Sequence, residues 1–125
     1  MGLLSVFTGN ATEISAEKLD RLLEELSAPG EVIEKAYQLV RDVIVFTNYR
    51  VILIDRQGVT GKKAEVLSIP YGKITKFAKE SAGVFDLDAE LKIWVGSDPE
   101  PLRQQFGRSV NINEVYAVLS AHVLN

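Results

Sequence analysis

The chain has 125 residues, of which 46% are hydrophobic, and this length suits a single domain with one buried core. It contains no cysteine, which excludes disulfide frameworks, thiol nucleophiles and cysteine metal sites. With 14 basic and 17 acidic residues the net charge is −3, so the chain lacks the basic surface that DNA or RNA demands, and we expect no nucleic-acid partner.

An apolar cluster opens the chain and consists of Leu3, Leu4, Val6 and Phe7. We interpret it as packing against its own domain, with a subunit contact as the alternative. The segment lacks the positive start and apolar core of a signal peptide, and no stretch reaches the roughly 20 apolar residues of a membrane span. We therefore expect a cytoplasmic protein.

An amphipathic helix follows, with Ser15 as its predicted N-cap. Leucines recur at the spacing i, i+3, i+4 and i+7, which places them on one helical face. Pro29 and Gly30 end the helix, because proline cannot continue its hydrogen bonds and glycine tolerates the turn. The leucines of this face are Leu19, Leu22, Leu23 and Leu26.

A central hairpin is predicted where two apolar runs, Val43 to Phe46 and Val51 to Ile54, flank a short polar segment. Asn48 is the residue of that segment best suited to a tight turn. Because both runs are apolar throughout, the hairpin requires cover on both faces.

Seven strands are predicted in all, since the hydrophobic period stays near two for about eighty residues after Glu31. In the first of them Ile33, Tyr37 and Leu39 are expected on one face. The sixth alternates most clearly, with one apolar and one charged face. Besides the hairpin, the predicted strands are Val32 to Leu39, Ala64 to Ile69, Lys73 to Glu80, 86–95 and Leu102 to Phe106.

A second amphipathic helix is predicted at the C-terminus, with Asn111 as its N-cap and Glu114 three residues later, as in a capping box. Seven antiparallel strands followed by such a helix predict a mainly β (α+β) fold. We expect a bent antiparallel sheet or partly open barrel, capped by the C-terminal helix and extended by the N-terminal one.

Several separated motifs resemble the bacterial pleckstrin-homology-like family, and together they span nearly the whole chain. They are LLSVFTGNATEIS (3–15), RDVIVFTNYRVILID (41–55), QGVTGKK (57–63), IPY (69–71) with Ile74, and FDLDAELKIW (85–94). The resemblance implies a pleckstrin-homology-like fold over 1–125, with an N-terminal extension and helix at 1–30, strands at 31–107 and a capping helix at 111–124.

The resemblance also implies a bacterial protein that forms homo-oligomeric rings, with five subunits as one expected number, and that has no established enzymatic activity. Relatives that bind phosphoinositides carry a basic cluster between their first two strands, where this chain has Val40-Arg41-Asp42. One arginine beside an aspartate makes no phosphate cage, so we expect no phosphoinositide site of the usual kind. The C-terminal helix also lacks the tryptophan that eukaryotic members usually carry.

The function expected from these features is a non-catalytic, self-associating interaction or scaffold module without a cofactor. The alternative is a module that binds a membrane surface or another anionic ligand weakly through a lysine cluster. Those lysines also fit an ordinary solubilising role on strand edges. Trp94 fits either an interface anchor or burial under a loop or the N-terminal helix. The residues of this candidate surface are Lys62, Lys63, Lys73, Lys76, Lys79 and Trp94.

Catalytic and metal chemistry is poorly supported. Asp86, Asp88 and Glu90 alternate on one strand face and offer oxygens to a cation, but a solvated or ion-paired face explains them better. His122 is the one histidine and has no second ligand or nucleophile near it in sequence. The glycines of residues 58–63 are too closely spaced for a phosphate-binding P-loop. We expect no enzyme and no metal site.

Overall fold

The computed structural model describes residues 7–8, 16–39, 42–55, 65–81, 88–107 and 110–125. The chain divides into two compact units, Met1–Ser68 and Ile69–Asn125, and each is described by itself. One turn of 3-10 helix spans Tyr71–Lys73. The other described elements are β1 (Phe7–Thr8), α1 (Ala16–Leu26), β2 (Ile33–Gln38), β3 (Val43–Thr47), β4 (Arg50–Ile54), β5 (Val66–Pro70), β6 (Ile74–Ser81), β7 (Asp88–Val95), β8 (Leu102–Gly107) and α2 (Ile112–Val123).

A five-stranded sheet has the strand order β1-β2-β3-β4-β5. Strands β2, β3 and β4 pair antiparallel, as predicted, whereas β1 runs parallel to β2 and brings Phe7 opposite Ala36. The sequence predicts no strand at Phe7 and Thr8, because two residues are too few to show a hydrophobic period. The described residues therefore hold eight strands where seven were predicted.

The predicted hairpin is confirmed in β3 and β4. Val43 lies opposite Ile54, and the turn falls at Asn48 and Tyr49. All residues of both strands are buried except Arg50, which is partly exposed. Side chains of a strand alternate between its faces, so burial at every position means that both faces of the hairpin are covered.

Helix α1 covers one face of this sheet. Leu23 is 2% exposed and lies in a cluster with residues from three adjacent strands. Leu26, the last residue of the helix and of the predicted leucine stripe, is 43% exposed, so the stripe is buried at Leu23 and open at its C-terminal end. The cluster contains Leu23, Ala36, Val43, Val45, Ile52 and Ile54, with Leu22, Ile33 and Val66 packed against it.

A β-bulge corrects the predicted face of the first long strand. Sequence alternation places Ile33 on the same face as Tyr37, but the register between β2 and β3 shifts between Ile33 and Lys35. Ile33 consequently packs against the cluster that contains Leu23 and Ala36. Tyr37 points to the opposite face, where its ring meets Phe46 edge-on at 6.1 Å. The extra residue of a bulge reverses alternation, and a simple period of two does not detect it.

The second unit contains a three-stranded antiparallel sheet in the order β6-β7-β8. Helix α2 packs against β6, β7 and the 3-10 turn. Its predicted N-cap is confirmed, since the side chain of Asn111 accepts a hydrogen bond from the backbone of Asn113 at 3.0 Å. Val115 and Leu119 are its buried residues. Neither α1 nor α2, the two described helices, has the length and apolar character needed to cross a membrane.

Candidate interaction surfaces

A paired carboxylate and guanidinium, Glu31 and Arg50, lie at the turn end of the five-stranded sheet. Glu31 follows the α1–β2 turn and Arg50 begins β4. The guanidinium donates to both carboxylate oxygens, from Nε to Oε2 and from Nη2 to Oε1, each at 2.8 Å. The Glu31 side chain is 1% exposed and that of Arg50 is 22% exposed. This two-pronged geometry is the strongest form of an arginine–carboxylate pair.

Two further donors complete the environment of Glu31. The hydroxyl of Thr47 donates to Oε2 at 2.7 Å, and the backbone N–H of Ala28 donates to Oε1 at 2.9 Å. These hydrogen bonds, above all the one from Arg50, lower the pKa of Glu31 from 4.5 to about 2, although burial acts in the opposite direction. Glu31 in turn raises the pKa of Arg50. Both groups are therefore charged at neutral pH.

Arg50 also connects three chain segments of the first unit. Its Nη2 donates to the carbonyl oxygen of Leu26 at the end of α1, and its Nη1 donates to Oγ of Ser68 in β5. A cation at a helix C-terminus interacts favourably with the unpaired carbonyl groups there. Arg50 thus fixes the end of α1 and a residue of β5 to the start of β4.

The turn residues Asn48 and Tyr49 also form hydrogen bonds to the segment between α1 and β2. Asn48 accepts from Val32 N at 2.8 Å and donates to Gly30 O at 3.0 Å, and the hydroxyl of Tyr49 donates to Pro29 O at 3.2 Å. Neither turn residue has a positive φ, so Asn48 contributes through its side-chain hydrogen bonds. Gly30 has φ +80, and a Cβ there would lie 2.8 Å from the Tyr49 hydroxyl, which explains glycine at this position.

Three residues that take part in these hydrogen bonds have exposed apolar side chains, and we name them the turn surface: Leu26, Val32 and Tyr49. Their exposed fractions are 43%, 54% and 49%. The hydrogen bonds of Arg50, Asn48 and Tyr49 join the backbone segments that carry them. This site is not predictable from the sequence, because Glu31 and Arg50 are 19 residues apart and match no spacing rule.

The outer face of the three-stranded sheet carries charges that are paired across strands. Lys92 forms an ion pair with Glu80, and it lowers the pKa of that exposed carboxylate. Arg103 contacts Glu90 at 3.2 Å. This arrangement confirms the polar face predicted for Glu90, Lys92 and Trp94, with Leu91 and Ile93 buried on the other side.

Trp94 is partly buried, and two groups cover it. The Nζ of Lys76 lies 4.7 Å from the ring centroid, and the indole N–H donates to Pro99 O at 3.3 Å. The loop after β7 therefore contributes to its cover, in agreement with one of the two predicted alternatives. A tryptophan that is already stacked and hydrogen-bonded has less free surface to offer a partner.

The structure separates the predicted lysines. In the β6–β7 register Lys76 lies opposite Trp94, and Lys79 lies opposite Leu91. Trp94 and Leu91 are on opposite faces of β7, so the side chains of Lys76 and Lys79 point to opposite faces of the sheet. Lys73 lies in the 3-10 turn before β6. No described carboxylate forms an ion pair with Lys73 or Lys79. Lys62 and Lys63 lie outside the described residues.

The other predicted candidates are only partly described. Asp86 and the side chain of Asp88 lie outside the described residues, so a carboxylate row with Glu90 stays a prediction; among the described residues, no group of three metal-ligating side chains forms. His122 stacks on Tyr71 with ring centroids 4.2 Å apart, which gives it a packing role against the 3-10 turn. Of the N-terminal cluster, Leu3, Leu4 and Val6 lie outside the described residues, as does the side chain of Phe7.

Comparison with known proteins identifies the family. A model of the bacterial PH domain matches residues 2–123. The chain belongs to the bacterial pleckstrin-homology domain family. The predicted family and fold are thereby confirmed.

The relatives of this bacterial PH domain match it over nearly their full length. The uncharacterized protein YjqA of Bacillus subtilis is 45% identical over 122 residues, covering 97% of this chain and 98% of that protein. The uncharacterized protein YozO of the same organism is 38% identical over 123 residues, with 98% coverage of both.

Two crystal structures share the fold. The pleckstrin homology domain from Shewanella amazonensis SB2B has 42% identity and a TM-score of 0.75, covering 86% of this chain and 97% of that one. A DUF1696 family protein with a pleckstrin-homology domain from Shewanella loihica PV-4 has 40% identity and a TM-score of 0.75, covering 92% and 98%.

Proposed function

We propose that this bacterial PH domain is a non-catalytic interaction module that assembles into a closed homo-oligomer through the turn surface. The observation that carries the proposal is the exposure of Leu26, Val32 and Tyr49 on backbone segments joined by hydrogen bonds. A surface that is rigid before binding loses less conformational entropy when a partner docks.

The chemistry of the turn surface suits a protein contact. Aromatic side chains with a polar tip are enriched at interfaces, and Tyr49 supplies such a group, held by its hydrogen bond to Pro29. The charged groups of the same hydrogen-bond network are matched internally, because Glu31 and Arg50 neutralise each other. Docking there requires no counter-charge from the partner.

A ring with an odd number of subunits restricts which surfaces of neighbouring subunits can meet. Its contacts are heterologous, so the turn surface of one subunit must meet a different surface of the next. One variant therefore alters every contact of the ring. Five subunits, the number expected from the resemblance, satisfy this geometry, and a discrete mass distinguishes a closed ring from open chains.

Native mass spectrometry and light scattering test the proposal. The double variant Val32→Lys/Tyr49→Lys places two charges on the turn surface. Leu124→Lys, which adds one charge at a residue that is 72% exposed in the other unit, is the control for an added surface charge. We expect one closed oligomer for the wild type and the control at micromolar concentrations, and 13.8 kDa monomers for the double variant.

Circular dichroism must show all three proteins folded, so that dissociation is not a result of unfolding. A wild-type chain that stays monomeric at these concentrations refutes self-association. An oligomer that survives in the double variant refutes the turn surface as its contact.

The second candidate function is binding of an anionic ligand by Lys73, Lys76 and Lys79. It is supported by the exposure of all three lysines and by the lack of a described carboxylate paired with Lys73 or Lys79. Sedimentation with vesicles tests the membrane form of this function. Binding that does not depend on anionic lipid removes it, since the attraction of lysines to a surface is electrostatic.

A further inference from the structure

The edge of β6 offers backbone groups to an added strand. In the described part of the chain, β7 is its one neighbouring strand. The pairing is irregular between Ile74 and Lys76, and from Lys76 to Ser81 every residue has a partner in β7. An edge of six regular residues has the length of an ordinary strand, and its outward N–H and C=O groups form a template for an extended peptide.

This edge carries two lysines, Lys76 and Lys79, that form no ion pair with any carboxylate among the described residues. Lys76 and Lys79 are exposed, and the nearby carboxylate of Glu80 is already paired with Lys92. At the opposite edge, by contrast, Arg103 of β8 is paired with Glu90. The charge of β6 is therefore available to an acidic partner.

An apolar position lies between the two lysines. Phe77 is partly buried on the face that α2 covers, where its ring packs against Tyr116 with centroids 5.0 Å apart. Residues directly opposite each other on neighbouring strands share a face and contact each other. A strand added beside β6 would thus place one side chain against Lys76, the next against Phe77, and one against Lys79.

We propose that the β6 edge binds an extended acidic peptide as an added strand, with an acidic residue opposite Lys76, an apolar residue opposite Phe77 and an acidic residue opposite Lys79. The proposal deepens the second candidate function above and rests on it. Backbone hydrogen bonds supply the attachment, and the side-chain pattern supplies the specificity.

The geometry favours a peptide over a membrane. Lys76 and Lys79 leave opposite faces of the sheet, so a flat lipid surface on one face meets one of them. An added strand has side chains on both faces and meets both.

NMR titration of the full chain with a defined probe tests the proposal. The probe is the capped peptide Thr-Glu-Val-Val-Glu-Thr, whose acid–apolar–apolar–acid pattern reads the same in both strand directions. We expect shift changes and slowed amide exchange along residues 76–81, and affinity that falls as salt is added. The same peptide with lysine in place of glutamate should not bind.

Backbone attachment is tested by methylating both valine amides of the probe. Adjacent residues of a strand point their N–H groups to opposite sides, so one of the two methyl groups blocks the β6 edge in either direction. We expect a loss of affinity of at least about tenfold. Equal binding of the methylated probe overturns strand addition, because charge attraction alone survives methylation.

Lys79→Glu should weaken binding by about tenfold, whereas Arg21→Glu, the same charge change on an exposed residue of α1, should leave it within about twofold. Lys76→Glu is expected to weaken binding as Lys79→Glu does. Because Lys76 also covers Trp94, its substitution can alter the fold locally, and the Lys79 variant is therefore the decisive test. Equal affinities of the Lys79 and Arg21 variants refute the proposal.

Vesicles of phosphatidylcholine and phosphatidylserine separate this inference from the function on which it rests. Vesicle binding that requires the three lysines, without any effect of the peptide on β6, refutes strand addition and leaves anionic-surface binding in place. Binding to neither probe refutes both, and the lysines then serve to keep the β6 edge from pairing.

Discussion

Glu31 shows how one carboxylate organises a local structure. It accepts four hydrogen bonds, two from Arg50 and one each from Thr47 and Ala28. A buried charge is costly unless it is paired and its remaining lone pairs are satisfied. Here both conditions are met, and the residues that meet them come from β3, β4 and the segment that leaves α1.

The stability of the protein should fall on acidification because Glu31 must then bind a proton. Its pKa is about 2 in the folded chain and 4.5 when unperturbed, so the unfolded state takes up protons first as the pH drops. The stabilisation is complete above about pH 5 and is lost towards pH 2, with a total of about 3 kcal/mol. Urea unfolding at several pH values measures it.

Glu31→Gln provides the control for this acid sensitivity. The variant cannot titrate at this position and leaves Arg50 without its charge partner, so we expect it to be about 2 to 3 kcal/mol less stable than the wild type at pH 7. The difference between the two proteins should shrink as the pH falls from about 5 to 2.5. Parallel loss of stability in both proteins contradicts the role assigned to Glu31.

Helix α1 illustrates how a sequence stripe differs from a buried face. Leu22, Leu23 and Leu26 share one helical face by spacing, yet Leu23 is 2% exposed and Leu26 is 43% exposed. The contact that holds the helix to the sheet therefore centres on Leu23. At its C-terminal end, Arg50 supplies a polar attachment through the carbonyl of Leu26.

Truncating these leucines should have unequal effects. Leu23→Ala removes side-chain atoms from a closed cluster and should cost about 2 to 4 kcal/mol in the free energy of unfolding. Leu26→Ala, the same chemical change three residues later, should cost less than about 1 kcal/mol. Chemical denaturation of both variants measures the difference. Equal costs contradict docking of α1 through Leu23.

Regular elements were predictable from the sequence because they depend on local periodicity. The hairpin, the alternation of β7 and the cap at Asn111 are confirmed in their predicted places. Features that depend on one residue of register or on distant partners were not predictable. The bulge that turns Ile33 to the other face of β2 is a feature that depends on one residue of register.

The candidate sites were predicted less well than the fold. The lysines were identified from composition, but strand alternation places Lys76 and Lys79 on opposite faces. The Glu31–Arg50 pair was missed, because residues 19 apart meet through the antiparallel course of β2, β3 and β4 and not through local spacing. Composition thus identified charged residues, whereas their pairing required the three-dimensional register.

The whole molecule raises the question of how many cooperative units it contains. The chain divides at Ser68/Ile69, and this boundary falls inside strand β5. A boundary between independent domains usually lies in an exposed linker, not within a strand. We therefore predict that the two units unfold together, as expected for a single domain of this length.

Trp94 makes this cooperativity measurable. It is the one tryptophan of the chain and lies in the second unit, whereas Leu23 lies in the first. If unfolding is cooperative, Leu23→Ala must shift the unfolding midpoint reported by Trp94 fluorescence as far as the midpoint reported by far-UV circular dichroism. Two units that unfold independently predict a different result, because the fluorescence midpoint then stays at its wild-type value while the dichroism transition broadens or splits.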